Sequence, residues 1–118
     1  MRTISADEYD FLLKVESVSG KNFHSLGLSQ QSLVESMTDG GMGSIKFIAD
    51  SNSSAIRSLG SVLVQGEFED ADGVTVSFAI NLDKDGSLFE LDLWRVDFAE
   101  LQQLPETEGA VKVMPVTA

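Results

Sequence analysis

The sequence predicts an α+β domain, one N-terminal helix packed on a mainly antiparallel meander sheet of about five strands. Three observations predict it. An apolar stripe at helical spacing opens the chain between matched end signals. Two Asp-Gly turns punctuate the second half, and the segments flanking them alternate apolar and polar residues at period two.

The helix comes first. Ser5-Ala6-Asp7-Glu8 is a capping box, in which Ser5 accepts from the Glu8 amide and Glu8 reaches back to the Ser5 amide. Ile4 and Tyr9 stand where a hydrophobic staple forms. Phe11, Leu12, Val15 and Val18 then repeat at helical spacing and Gly20 supplies a terminator, so a helix is predicted over 6–19. Residues 21–32 set Phe23, Leu26 and Leu28 among Asn, Ser, Gly and Gln, a connecting loop with one helical turn. His24, the one imidazole, is expected there as a loop or partly buried side chain.

Strands over 33–38 and 44–49 flank Asp39-Gly40-Gly41-Met42-Gly43, whose glycines accept positive φ, and should form a hairpin. Residues 50–58 are rich in Ser and Asn and read as a surface loop, with a short turn around Ala55-Ile56-Arg57. Strands over 61–69, 74–82 and 88–98 follow, joined by Asp70-Ala71-Asp72-Gly73 and Asp83-Lys84-Asp85-Gly86 into an up-and-down meander. In the last of them Trp94, Val96 and Phe98 have the opposite parity to Phe89, Leu91 and Leu93. Either a bulge shifts the register near Leu93 and Trp94, or the strand end is covered on both faces. Residues 99–104 predict a short helical turn stopped by Pro105, and the tail over 105–118 has weak strand character at 111–114 only. No repeat or linker divides the chain, so 1–118 is expected to form a single domain.

Eight Lys+Arg against 19 Asp+Glu give a net charge of −11. Such a field repels phosphate backbones and anionic headgroups and attracts basic surfaces, which points to a protein partner and away from nucleic acid and membranes. The absence of cysteine excludes disulfides, thiolate zinc sites and cysteine nucleophiles and fits a reducing compartment. The first residues lack the apolar region of a signal peptide and no run is long enough to span a bilayer, so a cytoplasmic location is expected.

Motifs for catalysis are missing. There is no Gly-x-Ser-x-Gly elbow, Gly41-Met42-Gly43 lacks the third glycine of a dinucleotide fingerprint, and Ser19-Gly20-Lys21 lacks the first glycine of a phosphate loop. Residues 81–92 have EF-hand-like spacing, with oxygen ligands at loop positions one, three, five and twelve and glycine at six. The first position, however, is Asn81, the last is Asp92 instead of Glu, and the flanks have strand period, which favours a plain hairpin. Glu90 and Asp92 alternate with Phe89 and Leu91, which sends both acids to water and away from acid–base work. The expectation is a protein that is no enzyme and carries neither metal nor cofactor.

Asp39-Gly40-Gly41-Met42-Gly43-Ser44, Glu69-Asp70-Ala71-Asp72-Gly73-Val74 and Leu88-Phe89-Glu90-Leu91-Asp92-Leu93-Trp94-Arg95-Val96-Asp97-Phe98 carry a resemblance. Over about residues 33–98 they resemble a family of small bacterial proteins of unknown function. In small size, acidity and sheet-rich architecture the chain also resembles immunity proteins of polymorphic-toxin and contact-dependent growth-inhibition systems. That resemblance implies an immunity protein that binds a cognate, basic toxin domain and blocks its activity. An acidic inhibitor of a basic domain gains steered association and sign complementarity. On this reading Asp70, Asp72, Asp83, Asp85, Glu90, Asp92 and Asp97 form an electrostatic rim, with Trp94 and Met42 as apolar anchors. Taken alone, Trp94 reads first as a core residue capping the sheet. The alternative function is a small-ligand or calcium-binding sensor using the acidic loop at 81–92, over which the 39–43 turn closes.

Overall fold

The computed structural model describes residues 1–48 and 57–116. Helix α1 (Ala6–Ser19) has the predicted ends: Ser5 Oγ accepts from the Glu8 amide at 3.1 Å, Glu8 Oε1 accepts from the Ser5 amide at 2.9 Å, and Gly20 stops the helix at φ 75°. Phe11, Leu12 and Val15 are its buried stripe. Phe11 meets Phe68 and Phe78 edge-on, with ring centroids 5.4 and 5.3 Å apart, and this aromatic contact fastens the helix to one face of the sheet. The 21–32 connection holds one 3-10 turn, His24–Leu26, where the His24 Nε2 lies 2.7 Å from the Tyr9 hydroxyl.

The sheet has seven strands among the described residues: β1 (Arg2–Thr3), β2 (Leu33–Ser36), β3 (Ile45–Phe47), β4 (Leu59–Glu69), β5 (Thr75–Asp83), β6 (Leu88–Arg95) and β7 (Lys112–Met114). Their spatial order is β1-β2-β3-β6-β5-β4-β7, and every neighbouring pair is antiparallel. The 39–43 hairpin and the β4–β5–β6 meander are present, so the class is α+β, with seven strands where five were expected. The two additional ones are the edges. At two and three residues, β1 and β7 are too short to show a period, and pairing with β2 and β4 defines them. Arg2 secures the first edge to the helix through a two-pronged contact with Glu8, both distances 2.8 Å.

Cross-strand rows build the core. Ile45, Leu91, Ile80 and Val64 form one, and Leu93, Phe78, Gly66 and Val113 the next. Gly66 is where strands and ring crowd together, since a Cβ there would lie 2.2 Å from the Lys112 carbonyl oxygen and 2.8 Å from Phe78 Cζ. Gly66→Ala should therefore lower the stability measured by urea unfolding by about 1–3 kcal/mol, the usual cost of overpacking; an unchanged midpoint would show that β7 can lift off without penalty.

Three local expectations are corrected. The pairing runs unbroken through Phe78–Leu93, Ser77–Trp94 and Val76–Arg95, and the bulge falls earlier, where Asn81 faces Glu90 and Leu82 faces Leu88. Phe89 is its extra residue, and its ring takes up two cations, Lys46 at 5.4 Å and Arg57 at 5.2 Å. Trp94 consequently stands on the face away from the helix, 52% exposed, and is no core cap. The predicted helical turn at 99–104 does not form, because non-local acceptors take its amides: Leu101 donates to the Gly41 carbonyl at 3.1 Å, and Gln102 and Gln103 each donate to Asp70 at 2.9 Å. Of the predicted loop at 50–58, residues 50–56 lie outside the described residues. No helix among the described residues is long and apolar enough to cross a membrane.

Candidate functional site

At the end of β6 the chain buries a charge. Arg95 faces Val76 across the strand pair on the helix side, and its side chain is 4% exposed. It is bearable there because three carboxylates surround it: Asp70 at 2.8 Å, Asp72 at 3.0 and 2.5 Å, and Asp97 at 2.7 and 3.0 Å. Asp97, Asp72 and Asp70 raise the Arg95 pKa beyond its ordinary value. In return, the Arg95 guanidinium and the Ala99 N–H push Asp97 down to about 2, and Arg95 also holds Asp72 below the usual carboxylate range. Burial pushes Asp70 upward, but the N–H groups of Gln102, Ala71 and Gln103 together with Arg95 outweigh it and leave that pKa lowered.

This cluster fixes a turn. The Phe98 amide donates to the Arg95 carbonyl at 2.9 Å, Asp97 is clamped between Arg95 and the Ala99 amide, and Phe98 sits at φ 62°, the one non-glycine with positive φ among the described residues. A bulky side chain in the left-handed region costs about 1–3 kcal/mol, and such strain gathers at functional positions. What it achieves here is presentation. The Phe98 ring comes to rest 5.9 Å from Trp94 on the side away from the helix, which no helix or strand among the described residues covers, and Trp94, Val96 and Phe98 are 52%, 50% and 68% exposed.

Along the same face Asn81 is 4% exposed and its Nδ2 donates to Glu90 at 3.2 Å and to Asp92 at 2.9 Å, while its Oδ1 is buried with no partner among the described residues. Burial and the neighbouring Glu90 raise the Asp92 pKa, partly offset by the Asn81 hydrogen bond. These acids are half-buried and not simply solvated, as alternation alone had suggested.

A family model described as a domain of unknown function, DUF6984, matches residues 1–105. The chain belongs to that family. No curated protein and no solved structure matches it. Within this DUF6984 domain the matched span ends at Pro105, so β7 lies beyond it.

The residues singled out from the sequence fall into separate groups in the DUF6984 domain. Asp70, Asp72 and Asp97 all turn inward to Arg95. Asp83 is buried: its Oδ1 accepts from the Asp85 and Ser87 amides at 2.9 and 3.0 Å and its Oδ2 from Arg57 at 2.9 Å. With both oxygens committed to the turn and to Arg57, Asp83 is organised as a hairpin residue, and no trio of His, Cys, Asp or Glu among the described residues is placed to hold a metal ion. Asp85 is exposed at the turn tip. Met42 lies half-buried in the 39–44 turn, where Asp39 gathers the Met42 and Ser44 amides at 3.1 and 2.9 Å. Glu90, Asp92 and Trp94 share the uncovered face. The seven acids are thus not one rim. Sequence reasoning weighed Asn81 only as the first position of a metal loop, noted the opposite parity of Phe98 without giving it a role, and missed the central part of Arg95.

Proposed function

We propose that this DUF6984 protein is a cytoplasmic immunity protein that binds a cognate basic toxin domain, docking through the uncovered sheet face around Trp94 and Phe98. The observation that carries the reading is the Phe98 backbone. A chain that holds an aromatic residue in the left-handed region so that its ring stands in solvent beside an exposed tryptophan has assembled a rigid apolar anchor, the kind that dominates binding energy. The net charge of −11 supports a basic partner, because it speeds encounter with a cationic surface.

The test mixes the protein with the toxin domain encoded next to its own gene and follows binding by calorimetry at two salt concentrations. A stable complex should form, weaken as salt rises, and lose at least about 2 kcal/mol on Trp94→Ala or Phe98→Ala. Failure to bind any neighbouring toxin domain sinks the proposal. Binding that ignores salt removes the electrostatic part.

A further inference from the structure

The uncovered face contains a trough. Ser77 and Ala79 of β5 are small and form its floor, while Trp94 and Asp92 rise from β6 on one side and Gln65 of β4 and Met114 of β7 on the other, enclosing a volume of about 410 Å³. With strands about 4.8 Å apart, the β6 and β4 walls stand roughly 10 Å from each other, room for one flat side chain inserted edgewise.

The charges around it are unequal. Glu90 faces Lys46 across the β6–β3 pair, and Glu67 faces Lys112 across the β4–β7 pair. Asp92 faces Ala79, with no cation opposite it, and no salt bridge to Glu67, Glu90 or Asp92 forms among the described residues. The Asp92 Oδ2 is held by Asn81, whose own Oδ1 is buried with no partner among the described residues. A buried amide oxygen without a partner carries a desolvation penalty, and among the described residues the fold bears it where it fixes Asp92, which has no cation opposite it, beside the only tryptophan of the chain.

We infer that this trough receives an arginine side chain of the partner protein, its guanidinium laid on the Trp94 indole and paired with the Asp92 carboxylate. The inference rests on the protein-binding reading above and names the chemistry that docks there. Trp94 and Asp92 are two residues apart on one strand face, about 7 Å along the chain, so a planar cation covering the indole reaches the carboxylate with its edge. Guanidinium suits this better than ammonium. It stacks on aromatic faces, offers a two-pronged edge to a carboxylate and gives up its hydration more readily.

Trp94, as the only tryptophan, reports on the trough directly. Acetyl-Gly-Arg-Gly-amide titrated into the full-length protein should change its fluorescence saturably, with an affinity at least about fivefold above that of the lysine counterpart. Chemical-shift changes should centre on Ser77, Ala79 and Met114. Asp92→Asn should remove the preference for arginine, and Asp85→Asn, on the distant turn tip, should preserve it. Equal affinity for the two peptides, no saturation, or full preference in Asp92→Asn overturns the inference. The titration needs no toxin, so its outcome is separate from that of the docking experiment. A toxin complex as tight with Asp92→Asn as with the parent protein would retain the immunity reading and discard the arginine site.

Discussion

Asp70→Ala should cost about 3–5 kcal/mol of unfolding free energy, the range for breaking a buried ion pair. Asp70 is the hub of the strained end of β6. Its Oδ2 accepts from Arg95 at 2.8 Å and Gln102 at 2.9 Å, and its Oδ1 from Ala71 at 2.7 Å and Gln103 at 2.9 Å. Removing it strips partners from two backbone amides of the 99–104 segment and one arm of a buried guanidinium at once. Asp72→Ala takes less away, because Asp72 is 36% exposed and water can replace it. Denaturant unfolding of both variants checks the order. A larger loss from Asp72→Ala would mean that Arg95 alone, and not the docking of 99–104 onto Asp70, holds this end of the sheet. The same experiment bears on presentation, since Phe98 is held left-handed by the turn that Arg95 and Asp97 close.

How far the sequence carried can be judged from particular residues. Helix α1 was legible to both ends because its signals are local: a capping box, a stripe and a terminal glycine act within a few residues of one another. The meander was legible for the same reason, with Asp-Gly at each turn. What escaped was non-local. Nothing near Gln102 announces that its amide will bond Asp70, thirty-two positions earlier, and so a segment with helical composition runs extended. Likewise the acids of 67–100 look alike as letters, yet Asp70 points inward to Arg95, Asp83 to Arg57 and Asp92 to the uncovered face. Counting charges found the sign of the surface; only the pairing shows which carboxylates are without a cation among the described residues.

That division of the carboxylates predicts opposite responses to pH. Asp39, Asp70, Asp72, Asp83 and Asp97 all have lowered pKa values in the folded protein. Each contributes stability that is complete above its unfolded pKa of about 3.9 and is lost as pH falls through the folded value. With Asp97 at about 2, the loss should extend from roughly pH 4 down to roughly pH 2. Asp92 has the reverse sign. Burial and Glu90 raise its pKa, so the folded state holds the proton more tightly than the unfolded chain does. Its ionisation therefore costs stability, a cost absent below about pH 3.9 and complete above the raised folded value. Asp92→Asn should melt higher than the parent protein at pH 7 and lose that advantage at pH 3, whereas Asp97→Asn should melt lower at pH 7 and converge on the parent as both approach pH 2. Thermal melts across pH 2–8 separate the two. If Asp92→Asn melts lower at pH 7, its carboxylate is compensated in the free protein, and the uncovered face has no unmet charge to offer a guanidinium.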